Sequence, residues 1–265
     1  MGQVTHLEAQ ALHMLPIWTD SALASTPPGS EFRPKAGRWD AAAFLSDLTA
    51  ADVALSPDKI SSLREFFWFD LCAEYDALSL HRHLLAGPDV YGAEFWEFAT
   101  VWLADELNHY RGFRVLYKLL YGESDESIDA RLAERKPHFE PLATFFGDEF
   151  RLCCLFAYDE LATTRAYHLD FELYRSLGHP KFLKFIRRLT RDESYHYQNA
   201  VALMRLHPRS RLIEVEHHVD DFVRFDLGGQ AYRATFLFDH DWDHIEGGFF
   251  RETGEILKKR LRPQV

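Results

Sequence analysis

The sequence predicts an all-α protein, a four-helix bundle with one long crossover, and three observations lead there. Apolar residues recur at steps of three and four over long stretches, which is the period of one helix face. The breaks between those stretches alternate short, long, short: Gly87-Pro88, the polar segment 123–141, then Gly178-His179-Pro180. Each of the four seams is interrupted at a core position by a glutamate, and in two of them a histidine follows three residues later.

Composition bounds the rest. With 265 residues, 47% of them hydrophobic, the chain can bury a sizeable core, and 22 Phe suit a thick helical interior. The net charge of −11 argues against nonspecific binding to nucleic acid or to an anionic membrane. Cys72, Cys153 and Cys154 fall inside helical patterns and build no disulfide framework, as expected of reduced thiols in a reducing compartment. The opening MGQVTHLEAQ lacks the apolar core of a signal peptide, and no uncharged run reaches the ~18 residues of a membrane span. The expectation is a soluble cytoplasmic protein.

In chain order, residues 1–55 form an irregular N-terminal segment, with a loop at 25–30 and the stretch around Trp39 closing over the bundle. The bundle itself occupies 56–207. Ser56-Pro57 starts the first helix as N-cap and first residue, and the helix runs to 86 with the seam Ile60, Leu63, Phe67, Asp70, Glu74, Ala77, His81. The second helix spans 91–121 with the seam Phe95, Ala99, Trp102, Glu106, His109, Phe113. The crossover carries a short helix at 127–135. The third helix spans 142–176 with the seam Phe146, Glu149, Cys153, Phe156, Glu160, Thr163, Tyr167. The fourth spans 181–206 with Phe182, Ile186, Leu189, Glu193, His196, Ala200. A C-terminal extension, 208–265, packs on the bundle through a helix at 211–222, a turn at Gly228-Gly229, a short strand at 231–238 and a helix within 246–261.

The seam glutamates pose a charge problem. Glu74, Glu106, Glu160 and Glu193 stand 32, 54 and 33 residues apart, so helices of about 25 residues joined by short turns bring them level. Buried carboxylates without a counter-charge are costly. Two divalent metal ions balance four carboxylates and are matched by the donors present, with His109 and His196 as the nitrogen ligands. This ligand set and the short–long–short connections resemble those of the ferritin-like di-iron and di-manganese proteins. Oxygen and imidazole donors without thiolate favour two iron ions, with manganese as the alternative. Asp70, Asp105 and Asp192 are expected as hydrogen-bond acceptors for the ligand histidines. His81 reads as a hydrogen-bonded rim residue, and the run from Asp239 to His244 as a charged loop rather than a second metal site.

Over residues 39–206 the chain resembles the soluble acyl-(acyl-carrier-protein) desaturases. Its DELNH at 105–109 is similar to that family's EENRH, and DESYH at 192–196 to its DEKRH. Glu160-Leu161-Ala162-Thr163 is similar to the family's Glu-x-x-Thr, and Asp70 with Glu74 to its Asp-x-x-x-Glu. Trp39 resembles a tryptophan implicated there in electron delivery. The chain departs from the family in its shorter length, in Asn108 and Tyr195, and in its tail.

The resemblance implies O2-dependent removal of hydrogen from an unactivated C–H of an acyl chain held on acyl carrier protein. It also implies Thr163 as the catalytic residue that steers protons or oxygen, a ferredoxin-type electron donor and a homodimer. Trp102, Phe113 and Phe156 are candidates for an apolar tunnel, with core packing the favoured role for each; Lys181, Lys184, Arg187, Arg188 and Arg191 are candidates for a landing site for the acidic carrier, with a solvated face the favoured role. The alternatives are a di-iron hydroxylase or N-oxygenase of a small molecule, a ferroxidase, and a metal-free binding module. Leu189 stands where N-oxygenases of this type carry an extra histidine.

Overall fold

The computed structural model describes residues 32–229, 231–242 and 244–262. Among these are ten α-helices and no strand: α1 (Ala41–Leu45), α2 (Pro57–Ser62), α3 (Arg64–Ala86), α4 (Ala93–Tyr121), α5 (Asp125–Ala133), α6 (Glu149–Leu169), α7 (Phe171–Ser176), α8 (Pro180–Leu206), α9 (Val215–Gly228) and α10 (Gly247–Leu261). The loop expected at 25–30 lies outside the described residues. No described helix is long and apolar enough to cross a membrane.

The long helices α3, α4, α6 and α8 form a helical bundle. α3 packs along α4, α6 along α8, and α4 against α8. Their ends follow local chemistry. The Ser56 hydroxyl accepts the Lys59 N–H at the start of α2, with Pro57 in the first turn. Gly122 closes α4 in the left-handed conformation at φ 65°. The Asp148 carboxylate accepts the Arg151 N–H at 2.7 Å and opens α6, and Pro180 opens α8.

Three expectations need correction. The first predicted helix is two helices, because the chain breaks at Leu63 (φ −100°, ψ 6°). The third is shorter than predicted. A 3-10 turn at Glu140–Phe145 precedes it, the cap at Asp148 restarts the chain, and Asp170 ends α6 before α7. Phe145 and Phe146 continue the apolar rhythm through that break, so periodicity alone misses it. The strand expected at 231–238 is absent. Ala234, Phe236 and Phe238 adopt φ of 57°, 71° and 62°, a conformation no strand has, and the segment is an irregular loop over the bundle.

The polar site divides the buried interior. On one side lie Phe95, Phe98, Phe150, Phe156 and their neighbours; on the other, Phe67, Phe113, Tyr117, Phe182 and Phe185. Two coverings flank the bundle. The segment 32–41 runs over α4 and α8 and ends in α1, while α9 and α10 pack along α6 and the 231–242 loop is tied to it through Phe238 and Asp159. Gly112 allows the first covering its close approach, since a Cβ there would meet Phe185 at 2.5 Å and Ala41 at 2.8 Å.

Candidate metal centre

The six predicted ligands come together at mid-height of the bundle, and none is more than 2% exposed. α3 supplies Glu74, α4 Glu106 and His109, α6 Glu160, and α8 Glu193 and His196. They form two groups with mutually close donor atoms: Glu74, Glu106, His109, Glu193 and Glu106, Glu160, Glu193, His196. Glu106 and Glu193 belong to both.

The carboxylates divide between the groups oxygen by oxygen. Glu106 turns Oε2 to His109 Nδ1 (3.4 Å) and Oε1 to His196 Nδ1 (2.9 Å). Glu193 turns Oε1 to His109 (3.0 Å) and Oε2 to His196 (3.2 Å). Glu74 Oε2 lies 3.4 Å from His109 and Glu160 Oε2 3.5 Å from His196. Two donor groups thus share two carboxylates, one oxygen per side, and each adds one terminal carboxylate and one imidazole.

Neighbouring residues hold the ligands from behind. Asp105 Oδ2 meets His196 Nε2 at 3.3 Å, and Asp192 Oδ2 approaches His109 Nε2 at 3.5 Å. The support is crosswise: each aspartate precedes one ligand glutamate and serves the histidine of the other helix. Asp192 also accepts the Trp39 indole N–H at 2.5 Å and the Arg191 guanidinium at 2.8 Å. Asp105 accepts the Gly37 N–H at 2.9 Å, and a Cβ on Gly37 would meet Asp192 Oδ2 at 2.3 Å. The outer oxygens of the terminal glutamates are bonded too. Trp102 donates to Glu160 Oε1 at 2.8 Å, and the Tyr167 hydroxyl donates to Glu74 Oε1.

The inner atoms are not bonded. Glu74 Oε2, both oxygens of Glu106, Glu160 Oε2, Glu193 Oε1 and both nitrogens of His109 are buried without a hydrogen bond. Such groups are normally satisfied, and in these four glutamates every orphaned oxygen is one that turns inward. Burial and then the Glu106 charge push Glu74 well above the usual carboxylate range, and burial does the same to Glu160. Burial alone would lower His109 and His196, but the carboxylates around them outweigh it and raise both. The site demands positive charge, and it can hold metal ions.

The remaining predicted residues take different places. Asp70 accepts the Tyr174 O–H at 3.2 Å, not a ligand histidine. Thr163 is half-buried, donates to the Asp159 carbonyl at 3.2 Å, and lines a cavity of about 30 Å³ with Glu74, Glu106 and Glu193. That volume holds one or two water-sized molecules. His81 is partly buried against Trp96. Trp102 and Phe156 pack in the core on each other, and Phe113 packs on Phe185, so none of the three lines that cavity. Arg188 stacks on Phe44 and Trp39, and Arg191 binds Asp192, so part of the basic cluster has internal partners.

Sequence reasoning missed the donors Trp102 and Tyr167, the strap contact of Gly37, and the polar cluster Asp159, Asp226, Asp239 and His240. The signal for Asp159 was present, since it is the third aspartate standing directly before a ligand glutamate. It accepts the Phe238 N–H at 3.0 Å and so ties the tail to α6.

No family model, curated protein or solved structure matches this chain.

Proposed function

We propose that the chain is a ferritin-like, di-iron, O2-dependent oxidoreductase acting on a small organic substrate, by hydroxylation of an unactivated C–H. The observation that carries this reading is the sharing of Glu106 and Glu193 between two ligand groups, one oxygen to each side. Four carboxylates and two imidazoles balance two divalent ions, and the absence of thiolate favours iron.

Bound iron supplies the electrons for O2 activation and the oxidising power for the substrate. The chain's own residues orient and protect. Asp105 and Asp192 fix the histidine rings, Trp102 and Tyr167 fix the terminal glutamates, and the apolar halves of the core keep bulk water out. Insertion of one oxygen atom into the substrate sends the other to water and consumes two protons and two electrons from an external donor of ferredoxin type.

Acyl desaturation on acyl carrier protein is the second reading. Thr163 beside the ligands and Trp39 bonded to Asp192 favour it. The acidic lining of the pocket beside the site favours the small-molecule reading: it includes Asp70, Asp170, Asp239 and Asp241.

Metal analysis tests the common part of both readings. About two irons per chain are expected, as in other bundles with this ligand set, and the reduced protein should consume O2. A protein that takes up no iron ends both readings. Mass spectrometry of the products then separates gain of one oxygen from loss of two hydrogens.

A further inference from the structure

The cavity beside Glu74 adjoins a larger one. Ala73, Thr163, Tyr167, Asp239 and His240 line both the inner space and an outer pocket of about 100 Å³. The outer pocket has aromatic walls, including Phe66, Phe69 and Phe249, and no lysine or arginine among its lining residues. Its charged groups are Asp70, Asp170, Asp239, Asp241, His240 and His244.

Several of these are already engaged. Asp239 accepts the backbone N–H of Arg233 at 2.5 Å and of Thr235 at 2.6 Å. His240 lies 3.0 Å from Asp226, and His244 lies 2.6 Å from Asp241. Asp70 is different. It is only 5% exposed, it accepts a single hydrogen bond, from Tyr174 on Oδ2, and its Oδ1 accepts none among the described residues. Among the described residues the Asp170 carboxylate likewise accepts none; its charged neighbours are Asp241 and His244. Burial and then the charges of Asp170 and Asp241 raise Asp70 well above the usual carboxylate range. Burial and Asp241 raise Asp170 to about 7.

Carboxylates that repel one another around an aromatic pocket are completed by a positive charge. An inorganic ion is the poorer complement. Among the described residues only the two groups at the metal centre bring three or more ligand atoms into mutual reach. An organic cation satisfies both features, placing a charged end on the carboxylates and hydrocarbon on the rings.

We propose that this pocket binds a compact organic ammonium or guanidinium, its charge held by Asp70 and Asp170 and its body directed past Thr163 and Tyr167 toward the Glu74 side of the metal centre. The ligand's oxidation rests on the function proposed above; its binding does not.

Titration calorimetry on the purified protein tests this with phenethylammonium, the neutral 2-phenylethanol and the anionic 3-phenylpropionate. The ammonium is expected to bind at least about tenfold more tightly than the alcohol, as charge-assisted hydrogen bonds allow, and the carboxylate more weakly than either. Asp70→Asn should bring the ammonium down to the level of the alcohol with iron content unchanged. Asp170→Asn serves as a second variant, with folding of both checked by circular dichroism. Equal or tighter binding of the alcohol, or ammonium binding unchanged in both folded variants, overturns the proposal. Iron content measured alongside keeps the two ideas separate. A charge preference without iron removes the oxidase reading alone, and two irons without a charge preference remove the cation site alone.

Discussion

Behind Glu160 stands Trp102, fully buried, stacked edge-on against Phe156 and Phe236 at ring distances of 5.2 and 4.9 Å. Behind Glu74 stands Tyr167, which lines the cavity together with Thr163. The inner ligands of the two halves are near copies: one terminal glutamate, one histidine, one aspartate behind it, and half of each shared carboxylate. What differs is the wall. A nearly symmetric ligand set thus acquires a closed side and an open side from the residues one contact further out, and an approaching molecule meets the Glu74 side first.

The largest expected effect erases the comparison. Glu106→Ala or Glu193→Ala removes an oxygen from both halves, so iron content should fall from about two per chain toward zero, while far-ultraviolet circular dichroism keeps most of its helical signal. Full iron content in either variant contradicts the ligand assignment. Glu160→Ala and Glu74→Ala should each leave about one iron per chain, and which iron remains distinguishes the halves spectroscopically. At the next level the walls themselves are exchanged. Trp102→Phe leaves Glu160 Oε1 buried and unbonded, at a cost of roughly 1–3 kcal/mol in denaturant unfolding. Tyr167→Phe removes the equivalent bond to Glu74 beside the cavity, where water can replace it. A smaller stability loss, with a change in O2 consumption, is expected there, and equal losses in the two variants would collapse the distinction between the sides.

The smallest effect is a pH dependence of the open side. The folded-state pKa of Asp170 is raised to about 7 by burial and by Asp241. The folded protein therefore binds the proton more tightly than the unfolded chain. The favourable contribution is fully present below the ordinary aspartate range and is lost as pH rises through about 7. Asp170→Asn should be more stable than the parent at pH 8, with the gain shrinking toward pH 4. A constant difference across that range would show that the Asp170 charge plays no part.

The six clustered side chains were legible in the sequence because they violate a strong pattern. Glu106 and His109 replace apolar residues on an otherwise regular seam, and Glu193 with His196 does so again. Helix ends marked by Ser56-Pro57, Gly122 and Pro180 were legible for local reasons of capping. The aspartates were placed correctly beside the site, but their crosswise service was not readable, because the mutual rotation of α4 and α8 is not a property of either helix alone. Asp70 shows the same limit from the other side. Its spacing from Glu74 is right for a ligand's neighbour, yet the helix turns it toward Tyr174 and the outer pocket. Asn108, a departure from the EENRH pattern, has a local purpose that only the fold reveals: it accepts the Ala41 N–H at 2.9 Å and seats α1. The tail was least legible. Its alternation of residue types resembles a strand, but left-handed residues and side-chain bonds from Asp239 and Asp159 decide its path.

Those left-handed residues make the covering loop a loaded spring. Ala234, Phe236 and Phe238 carry side chains in a region that glycine enters freely, and each costs on the order of 1–3 kcal/mol. The energy is offset by the buried seats of Leu237 and Phe238 and by the bonds to Asp239 and Asp159. The loop's net hold on the bundle is therefore smaller than its contacts alone imply. Ala234→Gly relaxes one of the three positions, and the loop of that variant should resist protease longer than the parent's.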